Sequence, residues 1–331
     1  MKKLCVIPGD GIGREVVPVA AAVLEKLLPD LEVVEAEAGW DCFTRHGSAV
    51  PERTLESLLE CGAGLFGAVS SPAGRVEGYR SAILTLRQKA GLYVNVRPVR
   101  SWPQVSPRPD VDLVVVRENS EGLYVGIERL DATGIAIAEC HVSRAASERL
   151  AAKARAIAEL RQSRRITIVH KANVLPLTGG LFRDSVRDVL INSGFGALVD
   201  ERLVDVAALD LVAGPERFDV IVTSNLFGDI LSDLASHWCG GLGMAPSLNW
   251  GDGVALAEPV HGSAPDIAGT GQANPIAAIL SVALLLRYHW RKPELAERVE
   301  RAVEAVLSEL PLDGLGSRTT TELERAILEH L

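Results

Sequence analysis

The sequence predicts an α/β protein of two compact units built on a largely parallel or mixed sheet. Short apolar runs alternate with segments whose apolar residues recur at helical spacing, and glycine and proline mark the junctions between them. A chain of 331 residues with 47% apolar side chains can bury one large core or two medium ones. Leu4–Ile7 reads as a first strand, and the stretch Ile7-Pro8-Gly9-Asp10-Gly11-Ile12-Gly13 leads from it into a helix carrying Val16, Val17, Ala20, Val23, Leu24 and Leu27, stopped by Pro29. Leu31–Ala38 and Gly64–Val69 read as further strands, with a helix over Pro51–Leu59 between them. Ser70–Ser81, with glycine and proline and little apolar content, reads as a surface loop of the kind that carries function.

A second pattern begins near Val99. Val111–Val116, Ile166–Val169 and Phe218–Thr223 read as buried strands and Ser143–Leu160 as a long helix; Pro275–Tyr288 and the segments from Glu294 onward read as helices returning to the first unit. The formal charge of −9, from 43 acidic and 34 basic residues without a basic block, offers nothing to phosphodiester polymers or anionic lipid, so no nucleic-acid or membrane partner is expected. Five cysteines without a CxxC pair read as reduced thiols of a cytoplasmic protein. The apolar run 277–286 is shorter than the roughly 20 residues of a membrane helix.

Several segments bear on chemistry. Asp229 and Asp233 share one helix face, where like charges repel unless a cation bridges them; hard oxygen ligands without His or Cys point to Mg²⁺ or Mn²⁺, and the alternative is two solvated acids. Arg87, Arg97 and Arg117 sit near element ends, where each singly reads as a structural ion-pair residue. Gathered around one cleft they would grip a substrate with two or three carboxylates through bidentate forks. Lys171 follows a strand and Tyr124 lies in Glu121-Gly-Leu-Tyr-Val; each is either a proton-transfer group or an ordinary solvated or packing residue. His261 lies in a glycine-bearing loop, Glu258 to Asp266. The opening turn has G-x-G-x-G glycines rather than G-x-G-x-x-G, and no G-K-[ST] ending, so it fits neither a Rossmann fingerprint with Glu35 nor a P-loop.

Together PGDGIG (8–13), LRQKAGLYVNVRP (86–98), VRENSEGLYVG (116–126), HKANVL (170–175), NLFGDILSDL (225–234) and EPVHGSAPDIAGTGQANP (258–275) resemble the β-decarboxylating dehydrogenases, the family of isopropylmalate, isocitrate and homoisocitrate dehydrogenases, over essentially the whole chain. The resemblance implies that family's two-domain fold with a mixed parallel/antiparallel central sheet, not a Rossmann domain. It places 1–98 plus 253–331 in a large domain and 99–252 in a small one, and implies a homodimer, or a tetramer, with active sites shared between subunits. It also implies that Arg87, Arg97 and Arg117 bind carboxylates, and that Asp229 and Asp233, with Asp205 of a second subunit, hold Mg²⁺ or Mn²⁺. Lys171 from that subunit would assist removal of the hydroxyl proton, with Asn173 beside the substrate, and Tyr124 would protonate the enol. Glu258, His261, Gly262, Ser263, Ala264, Pro265, Asp266 and Asn274 would cradle a nicotinamide cofactor. Asp266 would accept from a ribose 2′-hydroxyl and repel a 2′-phosphate, which implies NAD.

The loop before Arg87 meets the variable group of the substrate in this family. Here Ser71-Pro and the following basic-Val-x-Gly-Tyr are similar to homoisocitrate dehydrogenases, as are Glu118-Asn119 and NVLPLTGGLF (173–182), implying homoisocitrate as substrate and a place in lysine synthesis through 2-aminoadipate. Leu84 stands where a bacterial type of homoisocitrate enzyme carries arginine, so Arg75 or Arg80 is expected to reach the distal carboxylate. Asp205-Val206-Ala-Ala-Leu209-Asp210 also departs from the family's more frequent Asp-Asn-x-Ala-Met-Gln. Isocitrate and 3-isopropylmalate remain alternative substrates. A non-catalytic regulatory subunit is a remoter alternative, because the arginines, Tyr124, Lys171 and the three aspartates are all intact.

Overall fold

The computed structural model describes all residues of the chain except Arg75, Ser193, Phe195 and Asp313. In chain order the elements begin with β1 (Lys3–Gly9), α1 (Gly13–Leu27), β2 (Glu32–Glu35), α2 (Trp40–His46), α3 (Glu52–Cys61), β3 (Ala63–Ala68) and α4 (Ala82–Lys89). They continue with β4 (Val94–Arg100), β5 (Asp112–Glu118), β6 (Glu128–Leu130), β7 (Ala136–Ala138), α5 (Arg144–Arg161), β8 (Arg165–His170), α6 (Thr178–Asn192), β9 (Leu198–Leu203), α7 (Val204–Ala213), β10 (Val220–Thr223) and α8 (Asn225–Ser236). The last are β11 (Pro246–Trp250), β12 (Ala255–Pro259), α9 (Ile276–Leu284), α10 (Pro293–Glu309) and α11 (Thr320–His330).

Two compact units result. The terminal unit takes Met1–Leu92, Ser101–Pro109 and Ser236–Leu331, and the middle unit takes Tyr93–Arg100 and Asp110–Ala235. This division falls elsewhere than the expected 99–252. The middle unit gains β4, which pairs antiparallel with β5 along its whole length, while β11 belongs to the terminal unit through its antiparallel pairing with β12. Strands in the terminal unit run in the order β2-β1-β3-β12-β11, with β11 antiparallel to β12 and the other pairs parallel. In the middle unit the order is β4-β5-β10-β8-β9, with β4 antiparallel to β5 and the rest parallel. Mixed strand direction of this kind matches the expected α/β class and is not the 3-2-1-4-5-6 order of a Rossmann domain.

Local sequence explains most elements. The six apolar residues anticipated on α1 are all buried, and Ser143 begins α5 as its N-cap, accepting from Ala146 N–H at 3.1 Å. Two readings need correction. β2 ends at Glu35 rather than Ala38, since the chain turns there to enter α2, a helix of seven residues too short to show a clear period in the sequence. α9 ends at Leu284, and the expected continuation to Tyr288 is a π-helical stretch over Leu285–His289. Every residue of α9 is buried, as its all-round apolar surface requires, and no helix among the described residues is long and apolar enough to cross a membrane.

The opening turn is a structural hub of the terminal unit. β1 and β3 run parallel and end level, Gly9 opposite Ala68, so Asp10 lies beside Ser70. The Asp10 carboxylate, 2% exposed, accepts from the backbone N–H of Trp40 (2.7 Å), Asp41 (3.1 Å) and Ser70 (3.0 Å). Gly11 has a φ of +53°, and a Cβ there would fall 2.1 Å from the Ser263 carbonyl oxygen, which accepts from Ile12 N–H at 2.9 Å. Asp10→Ala leaves three N–H groups without their acceptor and is expected to lower stability by about 3 kcal/mol in chemical denaturation; a loss under about 1 kcal/mol would show that water replaces the carboxylate.

Candidate active site

Chemistry-bearing side chains gather at the carboxyl ends of parallel strands in each unit, the end where α/β sheets place their ligand sites. In the middle unit, register does the gathering. Thr223 of β10 lies opposite Arg117 of β5, and α8 begins two residues later at Asn225. Asn95 of β4 lies opposite Arg117, and the two-residue period of a strand puts Arg97 on the same face as Asn95. Helical spacing then sets Asn225, Asp229 and Asp233 in a row along α8.

Arg117 is 1% exposed. Its Nε and one terminal nitrogen donate to Asn225 Oδ1 at 3.0 and 2.7 Å, and its other terminal nitrogen ion-pairs with Asp229. Gly228 makes room for it: a Cβ there would fall 2.6 Å from Arg117 Cγ. Arg97, expected near an element end, is inside β4; it donates to Asn95 (2.7 Å), Ser232 (2.8 Å) and Asp233 (3.0 Å), and lies 3.6 Å from Asp229. Tyr124 donates its hydroxyl to Asp229 Oδ2 at 2.6 Å, and the Arg117 guanidinium lies 5.1 Å from its ring centre. Burial, then the hydrogen bond to Asp229, raises the Tyr124 pKa, so the phenol keeps its proton at neutral pH. Partial burial raises the Asp233 pKa; Arg97 pulls against this and the charge of Asp229 adds to it. Two carboxylates one helical turn apart, both facing partly into solvent, are an oxygen donor set that suits a hard divalent cation.

The ends of β8 and β9 are also level, His170 opposite Leu203, which brings Lys171 to Asp205 at the start of α7. They form an ion pair, and this bond to Lys171 holds the Asp205 carboxyl below its usual range. Val206, Leu209 and Val212 of α7 are 42%, 66% and 55% exposed, an apolar face on the helix that carries Asp205. Asn173 is exposed in the turn after Lys171.

In the terminal unit Arg87, on α4, is buried with Glu258 at 2.6 Å and Asn249 at 2.9 Å, so Glu258, expected at the cofactor, is held by an arginine. Asn274, also expected there, accepts from Ile276 N–H at 3.0 Å at the start of α9. The segment between them keeps open groups. His261 has a buried Nε2 without a hydrogen-bond partner among the described residues, and burial lowers its pKa; an orphaned imidazole nitrogen suits a bound polar group such as a nucleotide. Ala264 holds a φ of +39°, unusual for a residue with a Cβ. Ser263 joins its hydroxyl to that of Ser70 at 2.8 Å, while Gly262, Pro265 and Asp266 are exposed. Ser71 and Arg80 lie exposed in the 70–81 loop, and Arg75 falls outside the described residues. Glu37, Cys42 and His46 also come within 4.8 Å of one another, but Arg45 and Arg53 already occupy the Glu37 oxygens and disfavour a further cation.

Sequence reading missed the groups that support the site. Asn225 extends the Asp229–Asp233 spacing by one turn and Asn95 alternates with Arg97, signals that were legible; the contacts of Asp10, Ser70, Ser232 and Gly228 had none.

The sequence profile of the isocitrate/isopropylmalate dehydrogenase family matches residues 3–326. An isocitrate/homoisocitrate dehydrogenase of Thermus thermophilus is 54% identical over 338 residues, covering 99% of this chain and 98% of its own. A 3-isopropylmalate/3-methylmalate dehydrogenase of Methanocaldococcus jannaschii is 47% identical over 313 residues, covering 93% of this chain and 92% of its own. The crystal structure of isocitrate dehydrogenase from Methylococcus capsulatus aligns with a TM-score of 0.93 at 40% identity, covering 100% of this chain and 99% of that one. The chain therefore belongs to the isocitrate/isopropylmalate dehydrogenase family, β-decarboxylating enzymes that depend on NAD(P) and a divalent metal.

Proposed function

We propose that this chain is an NAD-dependent enzyme for the oxidative decarboxylation of homoisocitrate to 2-oxoadipate and CO₂, in lysine synthesis through 2-aminoadipate, working as a homodimer. The observation that carries the chemistry is the buried Arg117 with Arg97, Tyr124, Asp229 and Asp233 around it. A divalent cation bound here would supply Lewis-acid polarisation to the hydroxy-acid end of the substrate, and NAD would supply the hydride acceptor. Asp229 and Asp233 would hold the cation together with Asp205 of a second copy. Lys171 of that copy draws off the hydroxyl proton. Arg87, Arg97 and Arg117 orient the carboxylates, and after CO₂ leaves, the Tyr124 hydroxyl delivers its proton to C3 of the enol. For Arg87 this asks the guanidinium to serve a substrate carboxylate while it remains paired with Glu258.

Asp266 supports NAD over NADP: it is exposed, and no described residue neutralises it against a 2′-phosphate. Arg80 supports a third carboxylate, as an exposed guanidinium with no ion pair among the described residues. The exposed apolar face of α7 beside Asp205 supports pairing with a second copy. A second reading, 3-isopropylmalate, has Leu84 in its favour, a half-buried apolar side chain on α4 three residues before Arg87.

Three measurements test this. Steady-state kinetics with NAD and Mg²⁺ on homoisocitrate, isocitrate, 3-isopropylmalate and D-malate should rank homoisocitrate first in kcat/KM; a higher value for 3-isopropylmalate would sink the substrate assignment. Tyr124→Phe should cut kcat by about 100-fold with little change in KM, and an unchanged kcat would remove Tyr124 from proton transfer. Leu209→Asp should move the chain from dimer to monomer in light scattering and abolish turnover. A fully active monomer would overturn the shared site.

A further inference from the structure

Ser70 is held from three sides. Its N–H donates to Asp10 (3.0 Å), its hydroxyl bonds that of Ser263 (2.8 Å), and its carbonyl accepts from the Tyr79 hydroxyl (3.2 Å). A loop that leaves Ser70 is thereby closed back onto it nine residues later. Tyr79 is fixed independently through its ring. Trp40 and Phe43 of α2 stack on each other at 5.6 Å, and Tyr79 stands edge-on to both with centroids 5.2 Å away. Phe43 and Tyr79 also pack against the buried core that contains Ile7, Phe66 and Leu86.

Between these anchors the described residues Pro72, Gly74, Val76 and Gly78 are half-buried or exposed, Gly78 takes a φ of +76°, and the Tyr79 N–H donates to the Val76 carbonyl at 3.2 Å. On the far side of Arg80, Ser81 opens α4 without a side-chain cap, its carbonyl accepting from the Thr85 N–H (3.0 Å) and hydroxyl (2.9 Å). The aromatic trio is thus the last firm point before Arg80. A guanidinium on a flexible stem discriminates among substrates only if its Cα is held at the right reach.

We infer that Trp40, Phe43 and Tyr79 form a positioning cage that sets Arg80, and so decides between substrates with and without a third carboxylate. The inference rests on the reading in which Arg80 meets that carboxylate. The cage touches no substrate itself; it acts through the next residue in the chain.

The test compares kcat/KM for homoisocitrate with that for D-malate, which lacks the distal arm, or with the Ki of D-malate against homoisocitrate should its turnover be undetectable. Arg80→Ala should lower homoisocitrate efficiency by at least about 10-fold and leave D-malate within about twofold. Tyr79→Leu, which removes the ring, should reproduce that split, and adding it to Arg80→Ala should cost nothing further on homoisocitrate. Tyr79→Phe keeps the ring in the cage and should stay within about threefold of the parent on both compounds. Equal losses on both compounds in Tyr79→Leu, with the Arg80→Ala split intact, would overturn the cage alone as merely structural. An Arg80→Ala enzyme with unchanged preference would overturn the Arg80 reading and the cage together.

Discussion

A guanidinium almost wholly removed from water organises the middle unit. Arg117 sits at the end of β5 with 1% of its surface exposed, and burying a cation costs several kcal/mol unless its donors are met and its charge is balanced. Asn225 and Asp229 meet both needs from one face of α8. That face must lie close to β5, and Gly228 is the residue that lets it, since any Cβ would collide with the arginine stem. The price of a buried charge is thus a fixed helix, and on that helix stand the two carboxylates suited to a cation.

The same network keeps Tyr124 a phenol. Its hydroxyl points at Asp229, a carboxylate already engaged by Arg117 and within reach of Arg97, and partial burial disfavours the phenolate. A protonated phenol, a pair of carboxylates and two buried arginines are therefore one electrostatic object rather than separate features. Removing Asp229 would leave the buried charge of Arg117 without its ion-pair partner.

The terminal unit uses the opposite sign. There, at the ends of β1 and β3, the buried ion is the Asp10 carboxylate, satisfied by backbone N–H groups rather than by a cation, and it joins the first turn to α2 and to the loop that begins at Ser70. The glycines of this turn serve close backbone approach, Gly9 to Ala68 and Gly11 to Ser263, and do not form a dinucleotide fingerprint. The segment in which, among the described residues, the His261 Nε2 has no hydrogen-bond partner and Asp266 is exposed lies some 250 residues further along the chain.

The sequence by itself determined what a local period can encode. It was enough to place β1, α1, α3, β3, α5, β8 and β10, to mark 70–81 as a surface loop, and to put Asp229 and Asp233 on one helix face, because burial repeats every two residues in a strand and every 3.6 in a helix. The six ordered motifs carried the family. Short α2, the end of α9 and the unit boundaries escaped, because they depend on which strand pairs with which. Only the tertiary structure decided that Arg117 meets Asp229, 112 residues away, or that Tyr79 closes on Trp40 and Phe43. Such meetings are set by sheet register, Arg117 opposite Thr223 and Gly9 opposite Ala68. Register is a property of strand pairs, and no single stretch of sequence contains it.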